Sequence, residues 1–306
     1  MGIFDFLKPP SPEEQERRAV RERRLAEMAT FLQNGPLPSD IQGRLQGARA
    51  GTLPWTSTLT PAELAIARTH GLRPIATVSA TCWLHYGWSW TIGHSEGWAK
   101  ALQRLKEEAY TAGANAVLDV KMRTIPLGGA VSMDFTLIGT AVFVEGLDVS
   151  SDPIVATVPA LEFVKLLEAD VVPTGIAVGA HYEWLTDWNN SARMAWRGNI
   201  ESPQLSQLWE RVRTRAHQDL RANARPQGNG VLAHVNFSQI FESEQNNRKA
   251  YLARHIVVAT TVDARKGDAF PHDVRIVVDL HAGKTPLTGT ARHHGSYELN
   301  DTEGAI

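Results

Sequence analysis

"AYTAGANAVLDV", Ala109 to Val120, decides how this chain is read. Upstream, Trp98, Leu102, Leu105, Ala109 and Ala112 keep a helical period, and Gly113 stands where a left-handed residue closes a helix. An apolar run with strand character follows. The glycine comes after a helix C-terminus, where outward carbonyls disfavour anions, so the turn is a fold marker rather than a phosphate cradle. The unit returns at residues 227–237, where "QGNG" leads into "VLAHVNF" after a second long amphipathic stretch.

Working outward, the two passages share an order. "TPAELAIARTHGLRPIATVSA" (Thr60–Ala80) is a short capped helix, a glycine and a strand opening at Pro74, and "VPALEFVKLLEADVVPTGIAVGA" (Val158–Ala180) repeats it. The prolines are offset by 159 − 61 = 98 and 173 − 74 = 99. In the second long helix Ser202 caps, Pro203 starts, and Leu205, Trp209, Val212, Ala216 and Leu220 form the stripe. Setting Ala109 against Ala216 gives 216 − 109 = 107, and the closing strands "FTLIGTAVFV" and "LARHIVVATTV" give 257 − 139 = 118, so the second copy has grown by insertion.

These patterns predict an α+β fold of two homologous domains. Each is a small, mainly antiparallel or barrel-like sheet packed with one long helix and a short N-terminal helix. The expected division is 1–59 (N-terminal helix and linker or arm), 60–150, 151–265, and 266–306 (a strand at Val274–Leu280 and a polar tail). Ser11, Pro12 and Glu14 open the first helix as a capping box, and Leu25, Met28 and Leu32 are the expected docking stripe. Asn34 to Thr58 reads as a linker.

The 306 residues carry a formal net charge of −2, and interleaved glutamates neutralise most of the basic first helix, so neither nucleic acid nor a membrane is expected as a partner. The longest apolar stretch, Phe135 to Val144, is about half of the ~20 residues a spanning helix needs. One cysteine, Cys82, excludes an intrachain disulfide and points to a reducing, cytoplasmic location.

"RPIATVSATCWLHYGW", "AKALQRLKEEAYTAGANAVLDVKM" and "LIGTAVFV" resemble the YbjQ-like family of bacterial proteins, often labelled a heavy-metal-binding domain. The likeness covers about residues 60–145 well and 158–263 more weakly. It implies a compact α/β domain that associates into five-fold rings with no established reaction, and a tandem arrangement in this chain.

Three features could carry chemistry. Gly93-His94-Ser95-Glu96-Gly97 spells the hydrolase elbow G-x-S-x-G, although Ser95 serves equally as a helix N-cap and the chain before it lacks the parallel strands a hydrolase needs. Cys82, His85 and His181 are candidate ligands for zinc or copper, but two residues of one motif do not close a tetrahedral site, and structural roles weigh more heavily. Gly283-Lys284-Thr285 fails as a phosphate loop because Val278 stands where a glycine is required, and His293-His294 reads as a surface pair. No catalytic or cofactor-binding residue is assigned.

Tryptophans cluster at 83, 88, 90 and 98 and again at 184, 188, 196 and 209, more than a small core buries, so interfaces account for them better than core packing or base stacking. The expectation from sequence is therefore a non-enzymatic protein that assembles with itself, as a pentameric ring or a larger closed cage able to hold or dock a protein partner. Heavy-metal binding is the alternative and a serine hydrolase at Ser95 the least favoured.

Overall fold

The computed structural model describes residues 11–33, 35–85, 90–127, 132–186, 203–245 and 248–264. Three helices come first: α1 (Pro12–Leu32), α2 (Ser39–Ala50) and α3 (Pro61–Thr69). Then follow β1 (Leu72–His85), α4 (Trp90–Thr111), β2 (Ala116–Leu127) and β3 (Ser132–Val144). After the short β4 (Ile154–Val155), the second half runs α5 (Ala160–Glu168), β5 (Val171–Thr186), α6 (Pro203–Ala224), β6 (Gly230–Gln245) and β7 (Arg248–Ala264). The fold is α+β with two open sheets, ordered β1-β3-β2-β4 and β5-β7-β6. First strand, last strand, middle strand is thus the order in both halves.

Local chemistry explains the shared elements. Ser11 and Thr60 each close a capping box with a glutamate three residues on, and proline occupies the first turn of both helices. Helix α4 ends in a Schellman motif: Gly113 has φ +74°, its N–H donates to Tyr110 C=O at 2.9 Å, and Ala114 N–H donates to Ala109 C=O at 3.0 Å. Proline cannot donate to a ladder, and both first strands shift register there, between Pro74 and Ala76 and between Pro173 and Gly175.

Alternation along the strands sorts the layers. Val78, Ala80 and Cys82 with Phe135, Leu137 and Ala141 join Trp98, Ala101, Leu105 and Ala109 of α4 in one core. Ile176, Ala180, Ile256 and Val258, on one face of the second sheet, belong to that same core, and α4 touches β5. The opposite face of the second sheet, through Ala177, Val257 and Ala259, packs Ala216, Leu220 and Ala224 of α6. The halves therefore share a core rather than hanging as separate beads.

Both first strands are sheet edges, and side chains cover their polar groups. Ser79 N–H donates to Glu108 Oε2 (3.1 Å), and Arg104 and Arg44 donate to the carbonyls of Thr81 (2.6 Å) and Thr77 (3.1 Å). In the second half Ala180 N–H donates to Asp219 Oδ2 (3.0 Å) and Asn223 Nδ2 donates to Val178 C=O (2.8 Å). Glu108 and Asp219 each cover an edge N–H, but Ser79 and Ala180 are 180 − 79 = 101 apart where the strands align at 99, so the two contacts are not at equivalent positions.

Some expectations change. The stretch read as a linker contains α2, whose Leu45 is fully buried. The stripe of α1 docks differently: Leu25, Met28 and Leu32 are exposed while Phe31 is buried, held by Arg104, which lies 4.5 Å over its ring and donates to its carbonyl at 3.0 Å. The expected strand at 274–280, the tail and the cap Ser202 lie outside the described residues.

Among the described glycines Gly179 leaves the least room, since a Cβ there would run into Ala216 C=O of α6. Gly179→Ala should lower stability by about 1–3 kcal/mol, the cost of overpacking against groups that cannot move aside, measured by urea unfolding. An unchanged midpoint would mean that α6 is not seated on β5 as described.

Candidate functional site

The junction between the halves is the most specific constellation in the molecule. Before each short helix a segment is anchored by a threonine to the closing strand of its half. Thr58 N–H donates to Thr140 Oγ1 at 2.8 Å, and Thr157 N–H donates to Thr260 Oγ1 at 3.0 Å. Both acceptor threonines are fully buried. The donors are 157 − 58 = 99 residues apart, so residues 55–59 correspond to 154–158.

The second of these segments is also the seam. Ile154 and Val155 pair in parallel with Ala116 and Val117 at the edge of the first sheet. Ile154 N–H donates to Asn115 C=O (3.0 Å) and Ala156 N–H to Val117 C=O (2.9 Å), while Val120 N–H donates to Ala156 C=O (3.1 Å) and Asp119 N–H to Val158 C=O (3.0 Å). Among the described residues, four backbone bonds thus tie the halves here. Asn115 fixes the seam from beneath, its amide accepting from Val144 N–H (2.7 Å) and donating to the carbonyls of Val144 and Leu147 (2.9 Å each). Asp119 adopts φ +53° at the β2 bulge, which turns its N–H toward the seam, and burial pushes its carboxyl above the usual range.

A buried aromatic cluster lies at the same junction. His94 of α4 is fully buried, with ring centroids 5.1 Å from Phe135, 5.7 Å from Trp98 and 5.6 Å from Tyr182 of β5. Neither ring nitrogen of His94 has a hydrogen-bond partner, and the same is true of Trp98 Nε1. Burial, with Arg254 nearby, pulls the His94 pKa down to about 3. The imidazole is therefore a neutral packing group. Leaving such groups unpaired costs roughly 1–3 kcal/mol each.

Ser95 sits in the second turn of α4, exposed, so Gly93–Gly97 is continuous helix. That excludes the strand-turn-helix elbow and equally the cap role, since α4 begins at Trp90. The adjoining His94 was the informative member of the motif.

The candidate metal ligands are distributed. Cys82 is buried on the α4 side of β1, and burial pushes its thiol up despite Arg104 and Lys100, so it holds its proton at neutral pH. His181 follows the alternation to the opposite face from Tyr182, beside α6, where its Nε2 is 3.3 Å from Arg215 Nη1 and 3.8 Å from Glu183 Oε2. Burial lowers the pKa of His181, with Arg215 adding to the effect and Glu183 opposing it. The second sheet thus stands between the Cys82 core and His181. His85 ends β1, and its side chain lies outside the described residues. Among the described residues no group of three or more His, Cys, Asp and Glu could hold a metal ion. Of the tryptophans, Trp98 is buried and Trp83 and Trp184 are half exposed, while Trp88, Trp188 and Trp196 and the Trp90 side chain lie outside the described residues.

His94 makes stability depend on pH. Its folded pKa of about 3 lies below the ordinary 6.5, so between these values the unfolded chain binds the extra proton and acid favours unfolding. The contribution is fully present above pH 6.5 and declines as pH falls, by at most about 1.4 kcal/mol per pH unit. In urea unfolding at pH 7 and pH 5, His94→Leu should show a smaller acid loss than the parent chain. Equal losses would show that His94 is not buried in the neutral form.

No curated protein and no solved structure matches the chain. No helix among the described residues is long and apolar enough to cross a membrane. Residues 90–145, which are α4, β2 and β3 of the first half, match the model of a family, YbjQ_1, described as "Putative heavy-metal-binding".

Proposed function

We propose that this chain is a non-enzymatic protein that assembles with copies of itself by repeating the contact that joins its own two halves. The observation that carries the reading is the seam. One edge segment accepts the preceding half through four backbone bonds, whereas its counterpart at residues 55–59 leaves Trp55 half exposed. The contact is head-to-tail, so copies joined in this way form a ring if the rotation closes and a filament if it does not. A closed ring, five-fold or otherwise, and a cage built from rings are finer forms of the same proposal.

The second reading is heavy-metal binding, and here the family match at residues 90–145 is the supporting observation. The described side chains supply no ready cluster, so a metal would be held by Cys82 or His181 together with residues from another copy or from outside the described set.

Light scattering on purified, tag-free chain separates the two. Assembly predicts a mass that is a multiple of 33.7 kDa and persists on dilution, and a plain monomer contradicts it. Metal binding predicts stoichiometric zinc or copper by elemental analysis, reduced in Cys82→Ser. Metal-free protein whose unfolding midpoint is unmoved by either ion removes that reading.

A further inference from the structure

We infer that Trp55–Leu59 is the acceptor segment for β6 of a second copy, joined in parallel by counterparts of the two bonds that Ile154 and Ala156 donate to β2 within the chain. The inference rests on the assembly reading and names its two surfaces.

The receptor side is the first observation. In the seam, Ile154 N–H and Ala156 N–H donate to the neighbouring edge. Their counterparts, at the 99-residue offset set by the two threonine anchors, are Trp55 N–H and Ser57 N–H. Among the described residues these two donors have no backbone acceptor, although Thr58 N–H keeps its anchor bond to Thr140. Burial follows the same contrast: Val155 and Ala156 are fully buried, while Trp55 is 56% exposed and Thr56 is exposed. A preformed, anchored segment thus presents its donors outward.

The donor side is the second. Strands β3 and β7, aligned by Thr140 and Thr260, are the ruler: Ala116 of β2 opposes Val142 and Gly230 of β6 opposes Val262, as Leu118 opposes Thr140 and Leu232 opposes Thr260. Asn115 and Val117, whose carbonyls accept in the seam, therefore correspond to Asn229 and Val231. Val117 is fully buried under β4, whereas Val231 is 40% exposed. In the first sheet β4 lies beyond β2, and among the described residues nothing lies beyond β6. Trp55 N–H would donate to Asn229 C=O of a second copy, and Ser57 N–H to its Val231 C=O.

The ground beside the receptor fits a partner of the same shape. An open groove of about 750 Å³ runs past Leu53, Trp55, Leu64, Ala65 and Arg68. At the same offset Leu64 and Ala65 correspond to Phe163 and Val164, which are buried within the cluster that packs α5 on the first half. Two parts do not repeat: among the described residues β6 has no counterpart of Asp119 at φ +53°, so the bonds that Asp119 and Val120 donate in the seam are not carried over. Ile176, Ala180 and Ile256, which face the shared core, correspond to Thr77, Thr81 and Thr136, so the contact between copies rests on the strand pairing and the groove rather than on a second apolar sheet face.

The test places cysteines across the inferred pair, with Cys82 left native because it is buried. Thr56 corresponds to Val155, which opposes Val117, so Thr56→Cys should face Val231→Cys of a neighbour. Full-length chains carrying one substitution each are mixed and mildly oxidised, and their mass is followed by light scattering. The expected result is a disulfide-linked heterodimer on a non-reducing gel, absent when either variant is oxidised alone, with Val231→Lys shifting the parent assembly to smaller species. An assembly that forms no Thr56–Val231 crosslink and tolerates Val231→Lys overturns these surfaces while leaving self-assembly standing. A monomer at all concentrations overturns both, and a double variant that crosslinks only within one chain overturns the second-copy assignment.

Discussion

The parallel pairing of β2 with Ile154–Val155 is the constraint on which the rest of the molecule depends. Backbone donors and acceptors at a sheet edge must be satisfied by protein or water. Here the first half satisfies them with the segment that leads into the second half. That choice sets α5 against α3, brings β5 alongside α4, and makes one core out of side chains from both halves. It also explains His94, which is buried because Phe135 of one sheet and Tyr182 of the other close on it from two sides.

Much of the local structure was legible because its causes are local. Gly113 marked the end of α4, Pro61 with Thr60 marked the start of α3, and Pro74 and Pro173 marked equivalent points in two strands. Helix α2 was missed because Gly43 and Gly47 interrupt it and Leu45 is its sole fully buried side chain.

The site was less legible, since it is made of contacts between distant residues. Thr58 and Thr157 stand 99 apart, three residues before Pro61 and two before Pro159, and that spacing was the signal for the anchored segment. Their acceptors Thr140 and Thr260 lie within the two closing strands already set side by side. The metal candidates were chosen by residue type, and type does not say which face of a strand a side chain takes. Alternation along β5 puts Tyr182 in the shared core and His181 beside α6, away from Cys82. Asp119 and Asn115 were visible only as parts of a fold marker, yet they hold the seam.

The measurement that bears most directly on this account is an electron cryomicroscopy map of the purified 306-residue chain. The account predicts head-to-tail copies in which residues 55–59 of each chain lie parallel to β6 of the next, with the spacing of the internal seam. Isolated monomers, or copies that meet through other surfaces while residues 55–59 stay open, would contradict it.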